Sequence, residues 1–150
     1  MAQLATPGSP VYGRLVVSEH PNIERVRHAF AAFNRGDVEA IRPFFAEDIV
    51  WHVGGNHPLS GDYRGRESAL EYIAKVVELT GGTLAGEPLA ILVGDRHAGL
   101  FQRITGERGG KKLDVVLAQA LEFDAEGRCV EYWALADEQD QVDEFWSEGA

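Results

Sequence analysis

The sequence predicts an α+β domain whose helices lie against one face of a long antiparallel sheet, and three observations carry that reading. Apolar residues recur at helical spacing up to about residue 80 and at strand spacing beyond it. The later runs are divided by short turn clusters, Gly94-Asp95, Gly109-Gly110 and Asp124-Ala125-Glu126-Gly127, as hairpin connections require. A chain of 150 residues, 45% apolar and 25% charged, is enough for one hydrophobic core.

Residues 1–20 carry Pro7, Gly8, Ser9, Pro10 and Gly13, which resist regular structure, and read as an N-terminal arm. Its apolar patch Leu15-Val16-Val17 is placed to clip onto a single domain spanning 21–150. From Asn22 to Arg35, Ile23, Val26, Phe30 and Phe33 share one helical stripe, and Gly36 suits the C-terminal cap. Asp37 is placed to cap a second, short helix carrying Val38, Ile41, Phe44 and Phe45. Ala46-Glu47-Asp48 then turns into a strand, Ile49 to Val53, ended by Gly54 and Gly55.

A loop rich in Gly, Asn, Pro and Asp leads to Arg66. Beyond it Leu70, Ile73 and Val76 or Val77 mark a third amphipathic helix, stopped by Gly81 and Gly82. Strands follow near 84–93, 97–106, 112–124 and 128–136. The 112–124 strand is apolar on both faces, with Val115, Leu117 and Leu121 on one and Val116, Ala118 and Ala120 on the other. Such a strand is covered twice, and helices cover only one face of a curved sheet. A homodimer through the outer sheet face follows as an expectation, with Trp133 and the charge of Asp114 on that face. Asp137 reads as the N-cap of a final helix containing Val142, Phe145 and Trp146.

Bulk properties narrow the partners. A formal charge of -10 opposes a phosphate backbone or an anionic membrane, both of which need clustered Lys and Arg, so no nucleic acid is expected. The longest apolar run, Leu89 to Val93, is far short of the roughly 20 residues that cross a bilayer. With no signal-peptide pattern at the N-terminus, the expectation is a cytoplasmic protein with no membrane partner. Cys129 lacks a local histidine or helix N-terminus to activate it and reads as a small buried hydrophobe. No histidine groups with other ligand types at metal spacing, so neither metal nor organic cofactor is expected.

Three stretches, Phe33-Asn34-Arg35-Gly36-Asp37-Val38-Glu39-Ala40-Ile41, Phe45-Ala46-Glu47-Asp48-Ile49-Val50-Trp51 and Leu121-Glu122-Phe123-Asp124-Ala125-Glu126-Gly127-Arg128, resemble the NTF2-like superfamily, in particular its SnoaL-like and ketosteroid-isomerase-like branches. The Gly61-Asp62-Tyr63-Arg64-Gly65 loop is similar to the one before that family's third helix, and the resemblance covers about residues 22–147. It implies a cone: a curved antiparallel sheet packed against three N-terminal helices and closed by a short C-terminal one. The fold hosts isomerases, cyclases, dehydratases, hydrolases and plain binding modules, so function rests on the site.

Matched residue by residue, the carboxylates of two of those chemistries are missing. The resemblance puts the ketosteroid-isomerase Tyr at Ala29, its base at Val53 and its protonated Asp at Gln119. For limonene-type epoxide hydrolases the Arg falls at Arg103, and the two Asp positions hold Thr105 and Ala134. The acidic residue and histidine of SnoaL-type cyclases have no secure match.

Within the implied cone, strand alternation aims Trp51, Val53, Leu100, Gln102, Leu117, Gln119 and Tyr132 at a pocket able to bind a small hydrophobic molecule, polyketide-like or terpenoid-like. The bland alternative is that they fill a core. His57, in the loop where such cones open, is the candidate proton carrier, against the rival of a solvated loop histidine. Tyr63 offers a hydroxyl beside it, while Asp62 has the position of an Asx turn. His52 alternates away from Trp51 and enters the pocket only if a bulge re-aims it. Arg103 and Asp137 complete the candidates. Two functions stay open: a cofactor-independent isomerase, lyase or cyclase working by acid-base chemistry, and a non-catalytic module binding a ligand or partner protein.

Overall fold

The computed structural model describes residues 16–17 and 20–147, with side chains described from residue 20. Helix α1, Ile23–Asn34, buries Val26, Ala29 and Ala32 and packs Phe30 and Phe33 on the core. Its end is a Schellman motif: Gly36 N–H bonds the Phe33 carbonyl at 2.9 Å and Asp37 N–H the Ala32 carbonyl at 2.9 Å, with Gly36 at φ +70. The Asp37 carboxylate then accepts from Ala40 N–H at 3.2 Å and opens α2, Val38–Ile41. A 3₁₀ turn, Arg42–Phe44, delivers the chain into the sheet.

A two-residue strand β1, Val16–Val17, pairs parallel with β4, Ala85–Val93. Strand β2 spans Phe45–Val53 and so begins before the expected Ile49, because Phe45 already pairs with Cys129. A register shift between Phe45 and Val50 lets Glu47 and Asp48 face solvent within the strand. The segment expected as a loop, Gly61–Arg64, is strand β3, paired antiparallel to β2. Its composition carries no strand signal. Pairing with an edge decides the conformation, and Gly61 (φ +135) and Gly65 (φ +91) supply the bends on either side.

Helix α3, Arg66–Leu79, buries Ala69, Leu70, Ile73 and Val76. The rest is a meander of β4, β5 (His97–Arg108), β6 (Lys111–Phe123) and β7 (Cys129–Ala136), closed by α4, Gln139–Trp146. Among the described residues seven strands form one sheet in the order β1-β4-β5-β6-β7-β2-β3, in which β1 with β4 and β2 with β7 are the parallel pairs. The sheet curves around the helices without closing, as the sequence predicts for a cone. Asp137 does not cap α4, which starts after Glu138 without a side-chain cap; its carboxylate accepts from Val116 N–H at 3.0 Å and ties the end of β7 to β6.

Two apolar clusters fill the interior. One joins α1, α3 and the strands around Phe45, Ile49 and Phe123; the other gathers Val76, Ile104, Leu113, Val115, Phe145 and Trp146 under α4. Cys129 is fully buried, and burial pushes its thiol up to about 12, far from a nucleophile's range. No helix among the described residues is long and apolar enough to cross a membrane.

Candidate functional site

Between the two clusters lies a cavity of about 150 Å³. A cavity of that size with apolar walls accommodates a molecule on the scale of one or two rings. Helix α1 contributes Ala29, Phe30 and Phe33, α3 contributes Tyr72, Ile73 and Val76, and α4 contributes Val142 and Trp146. The sheet supplies Trp51, Val53, Leu117, Gln119, Tyr132 and Ala134. Trp51 and Tyr132, opposite each other in the β2–β7 register, stack at 3.6 Å with their planes 9° apart. Phe45 closes on Trp51 at 5.3 Å. These rings make a packed aromatic wall on one side of the cavity.

The polar atoms of the sheet wall form a single chain. Gln102 Nε2 donates to Gln119 Oε1 at 2.6 Å, and Gln119 Nε2 donates to the Tyr132 hydroxyl oxygen at 2.5 Å. The three residues are 5%, 8% and 5% exposed, so each amide depends on its neighbour rather than on water. Of the pair of glutamines, Gln119 meets the cavity and Gln102 stands behind it.

Gly86 makes room for that second amide. A Cβ built on Gly86 would lie 2.4 Å from Gln102 Oε1 and 3.2 Å from Ile104 Cδ1. The strand cannot retreat, because the Asn34 amide grips the Gly86 main chain at both its carbonyl, 3.0 Å, and its N–H, 2.9 Å. Gly86→Ala is therefore expected to destabilise the fold by about 1–3 kcal/mol and to break the Gln102–Gln119 bond. Chemical denaturation measures the first and amide chemical shifts the second; a variant as stable as the parent would contradict this account.

His57 sits beside the cavity, where its ring is 6.5 Å from that of Trp146. Its Nδ1 accepts from Leu59 N–H at 3.2 Å, so the neutral ring carries its proton on Nε2. Burial lowers the His57 pKa from 6.5, partly offset by the charge of Asp143, so the neutral form prevails at pH 7. The loop is braced from α4: Asp143 accepts from Asn56 N–H at 2.9 Å and from Gln139 Nε2 at 3.2 Å. Gly55, at φ +86, leaves the space that both side chains occupy.

Tyr63 spends its hydroxyl hydrogen on the Leu59 carbonyl at 2.7 Å and leans on Tyr72 at 4.8 Å, outside the cavity wall. Leu100 is 2% exposed in the core and does not border the cavity. The His52 ring is held on the outer face between Asp62 and Glu131, each at 2.7 Å, and stacks on Trp133. Hydrogen bonds to Glu131 and Asp62 raise its pKa. Arg103 forms a two-point pair with Asp114 at 2.9 and 2.7 Å, also on the outer face. Sequence reasoning passed over Tyr72, although its i+3 and i−4 relation to Ala69 and Val76 puts it on the buried stripe. It also passed over Asp143 and Gln139; the contact of Asp143 with Asn56 spans more than 80 residues and is not visible locally.

Among the described residues no group of three or more His, Cys, Asp or Glu is arranged to hold a metal ion. Residues 26–132 match the family described as SnoaL-like domain. An uncharacterized protein of Mycobacterium tuberculosis is 29% identical over 99 residues, 65% of this chain and 76% of that protein. Among solved structures, Bal32a from a soil-derived mobile gene cassette is 36% identical, with a TM-score of 0.79 over 83% of this chain and 95% of its own. An NTF2-like protein from Burkholderia xenovorans shares the fold at 20% identity, with a TM-score of 0.70 over 84% and 95% of the two chains.

Proposed function

Because the chain belongs to the SnoaL-like domain family of NTF2-like folds, we propose that its cone receives a small hydrophobic ring compound and that neutral His57 moves a proton on it without a cofactor. The observation that carries this reading is a largely carbon-lined cavity of about 150 Å³ whose polar side chains include Gln119 and Tyr132, joined by a hydrogen bond, and a half-buried, neutral imidazole. A general base works best unprotonated at the operating pH, which burial secures for His57, and it takes the proton on Nδ1 once that nitrogen releases the Leu59 N–H. A polyketide-like or terpenoid-like compound with an acidic C–H fits those walls.

The test needs no knowledge of the natural substrate. 1-Indanone offers one flat ring system and exchangeable hydrogens beside its carbonyl. Its binding should quench Trp51, and the protein should speed α-hydrogen exchange with D₂O, followed by NMR. The rate should hold level through neutral pH and fall as His57 protonates below 6.5. His57→Asn should lower it by about a hundredfold, the lower end of what a positioned base contributes. Binding without accelerated exchange would leave a ligand-binding module and remove the catalytic role; no binding of ring compounds would overturn the pocket itself.

The sheet face that turns from the cavity supports a second assignment, a homodimer. Leu92, Phe101, Trp133 and Leu135 are 54%, 52%, 41% and 70% exposed. In register they lie together on the outside of β4–β7 with Gly99, Ala118 and Ala120 between them. The rim carries both signs of charge, Arg103 with Asp114 and His52 with Glu131, so a second copy related by a two-fold axis is a complementary partner.

A further inference from the structure

Two phenols in the cavity wall present hydroxyl hydrogens that no atom of the described residues accepts. Tyr132 receives the Gln119 amide on its oxygen, which leaves its own hydrogen uncommitted. Tyr72, half-buried in the cavity wall, makes no hydrogen bond among the described residues. The two rings flank Trp51, Tyr72 at 6.4 Å and Tyr132 at 3.6 Å between centroids, and burial raises both pKa values, so both are proton donors at any ordinary pH. A carbon-walled space with unmet donors is completed by an acceptor oxygen.

The rest of the wall says what kind of oxygen. Among the described residues no Lys, Arg, Asp or Glu lines the cavity; of the two histidines that do, His57 is neutral and the ring of His52 is held by Asp62 and Glu131. A carboxylate or phosphate would lose its hydration with no counter-charge in return. The direction of the amide chain favours a neutral acceptor as well. Gln102 donates to Gln119 and Gln119 to Tyr132, so each bond polarises the next and strengthens Tyr132 as a donor.

We propose that Tyr72 and Tyr132 form a carbonyl-binding subsite, which makes the ligand a neutral cyclic or aromatic ketone or quinone rather than a hydrocarbon or an acid. The assignment rests on the reading of the cavity as a ligand site and adds Tyr72 to it as a specificity-determining residue. The ring lies against the Trp51–Tyr132 wall, and its carbonyl accepts from the two phenols.

The experiment compares indane, 1-indanone and indane-1-carboxylate, three probes of one ring system, in the wild-type protein and in Tyr72→Phe and Tyr132→Phe. Affinities are read from Trp fluorescence, and the carbonyl stretch of ¹³C-labelled 1-indanone from infrared difference spectra. Each variant should lower the indanone-to-indane affinity ratio by about tenfold, the size of one buried hydrogen bond. In the wild type the carbonyl band should lie below its cyclohexane position and return toward it in Tyr72→Phe. The band in wild-type protein is independent of how the variants fold. The carboxylate should bind more weakly than the ketone.

An unchanged ratio in both variants, with the band at its cyclohexane position, would overturn the subsite while indane binding upheld the cavity. Carboxylate binding tighter than ketone would overturn the neutral class. Failure of all three probes to bind would remove the cavity as a ring-binding site and the subsite with it.

Discussion

Phe45→Ala is expected to destabilise the protein by about 3–5 kcal/mol, a large part of the roughly 5–15 kcal/mol that holds a domain of this size together. Phe45 is 1% exposed and occupies the joint where the 3₁₀ turn becomes β2. Its ring meets Phe44 at 6.0 Å and Trp51 at 5.3 Å, and its main chain pairs with Cys129. The side chain thus ties the short helices to the wall of the cavity. The hole left by its removal would run into the existing cavity, and strands β2 and β7, paired through their main chains, cannot close over it. Cavities that cannot collapse carry the larger penalties. Urea unfolding should show the midpoint falling with an unchanged slope. A loss under about 1 kcal/mol would mean that Phe45 is not a keystone of this joint.

Leu135→Glu is expected to convert a dimer into a monomer. Leu135 is 70% exposed at the centre of the outer face, opposite Ala118 in register and across β6 from Phe101. In an isologous interface every residue meets the same patch of the other copy, so one substitution introduces two buried carboxylates. A charge buried without a partner costs about 3–5 kcal/mol, which moves a dissociation constant by two or more orders of magnitude. The chain already carries a charge of -10. Sedimentation equilibrium over a micromolar range measures the outcome. A wild-type protein that sediments as a monomer, or a variant that associates as tightly as its parent, would end the dimer assignment. Because Leu135 points away from the cavity, ring-compound binding in the separated subunits also reports whether one copy holds a complete pocket.

Much of the fold is legible in local sequence. The stripe of Val26 and Phe30, the Gly36 cap, the Asp37 cap and the two-faced strand at 112–124 each obey a local rule, and each is found where that rule puts it. The failures have a common origin. Gly61–Arg64 is a strand only because the edge of β2 is beside it, and β2 starts at Phe45 only because Cys129 pairs there. Asp137 sits one residue before the cap position and serves Val116, a residue 21 positions away. Alternation brought Trp51, Val53, Leu117, Gln119 and Tyr132 to the cavity wall but could not separate them from Leu100, which shares their face and lies in solid core.

Periodicity and turn chemistry, both properties of neighbouring residues, determined by themselves that this chain forms helices against one face of an antiparallel sheet with one apolar interior; the curvature into a cone came from the resemblance to the NTF2-like superfamily. Where that interior stays open, and which polar atoms face the opening, only the tertiary structure decided. Among the described residues the Tyr72 hydroxyl has no hydrogen-bond partner, His57 is neutral, and Gln102 stands behind Gln119 because of contacts among residues distant in the chain. Packing vacancies and shifted pKa values are sums over such contacts. No window of sequence contains them.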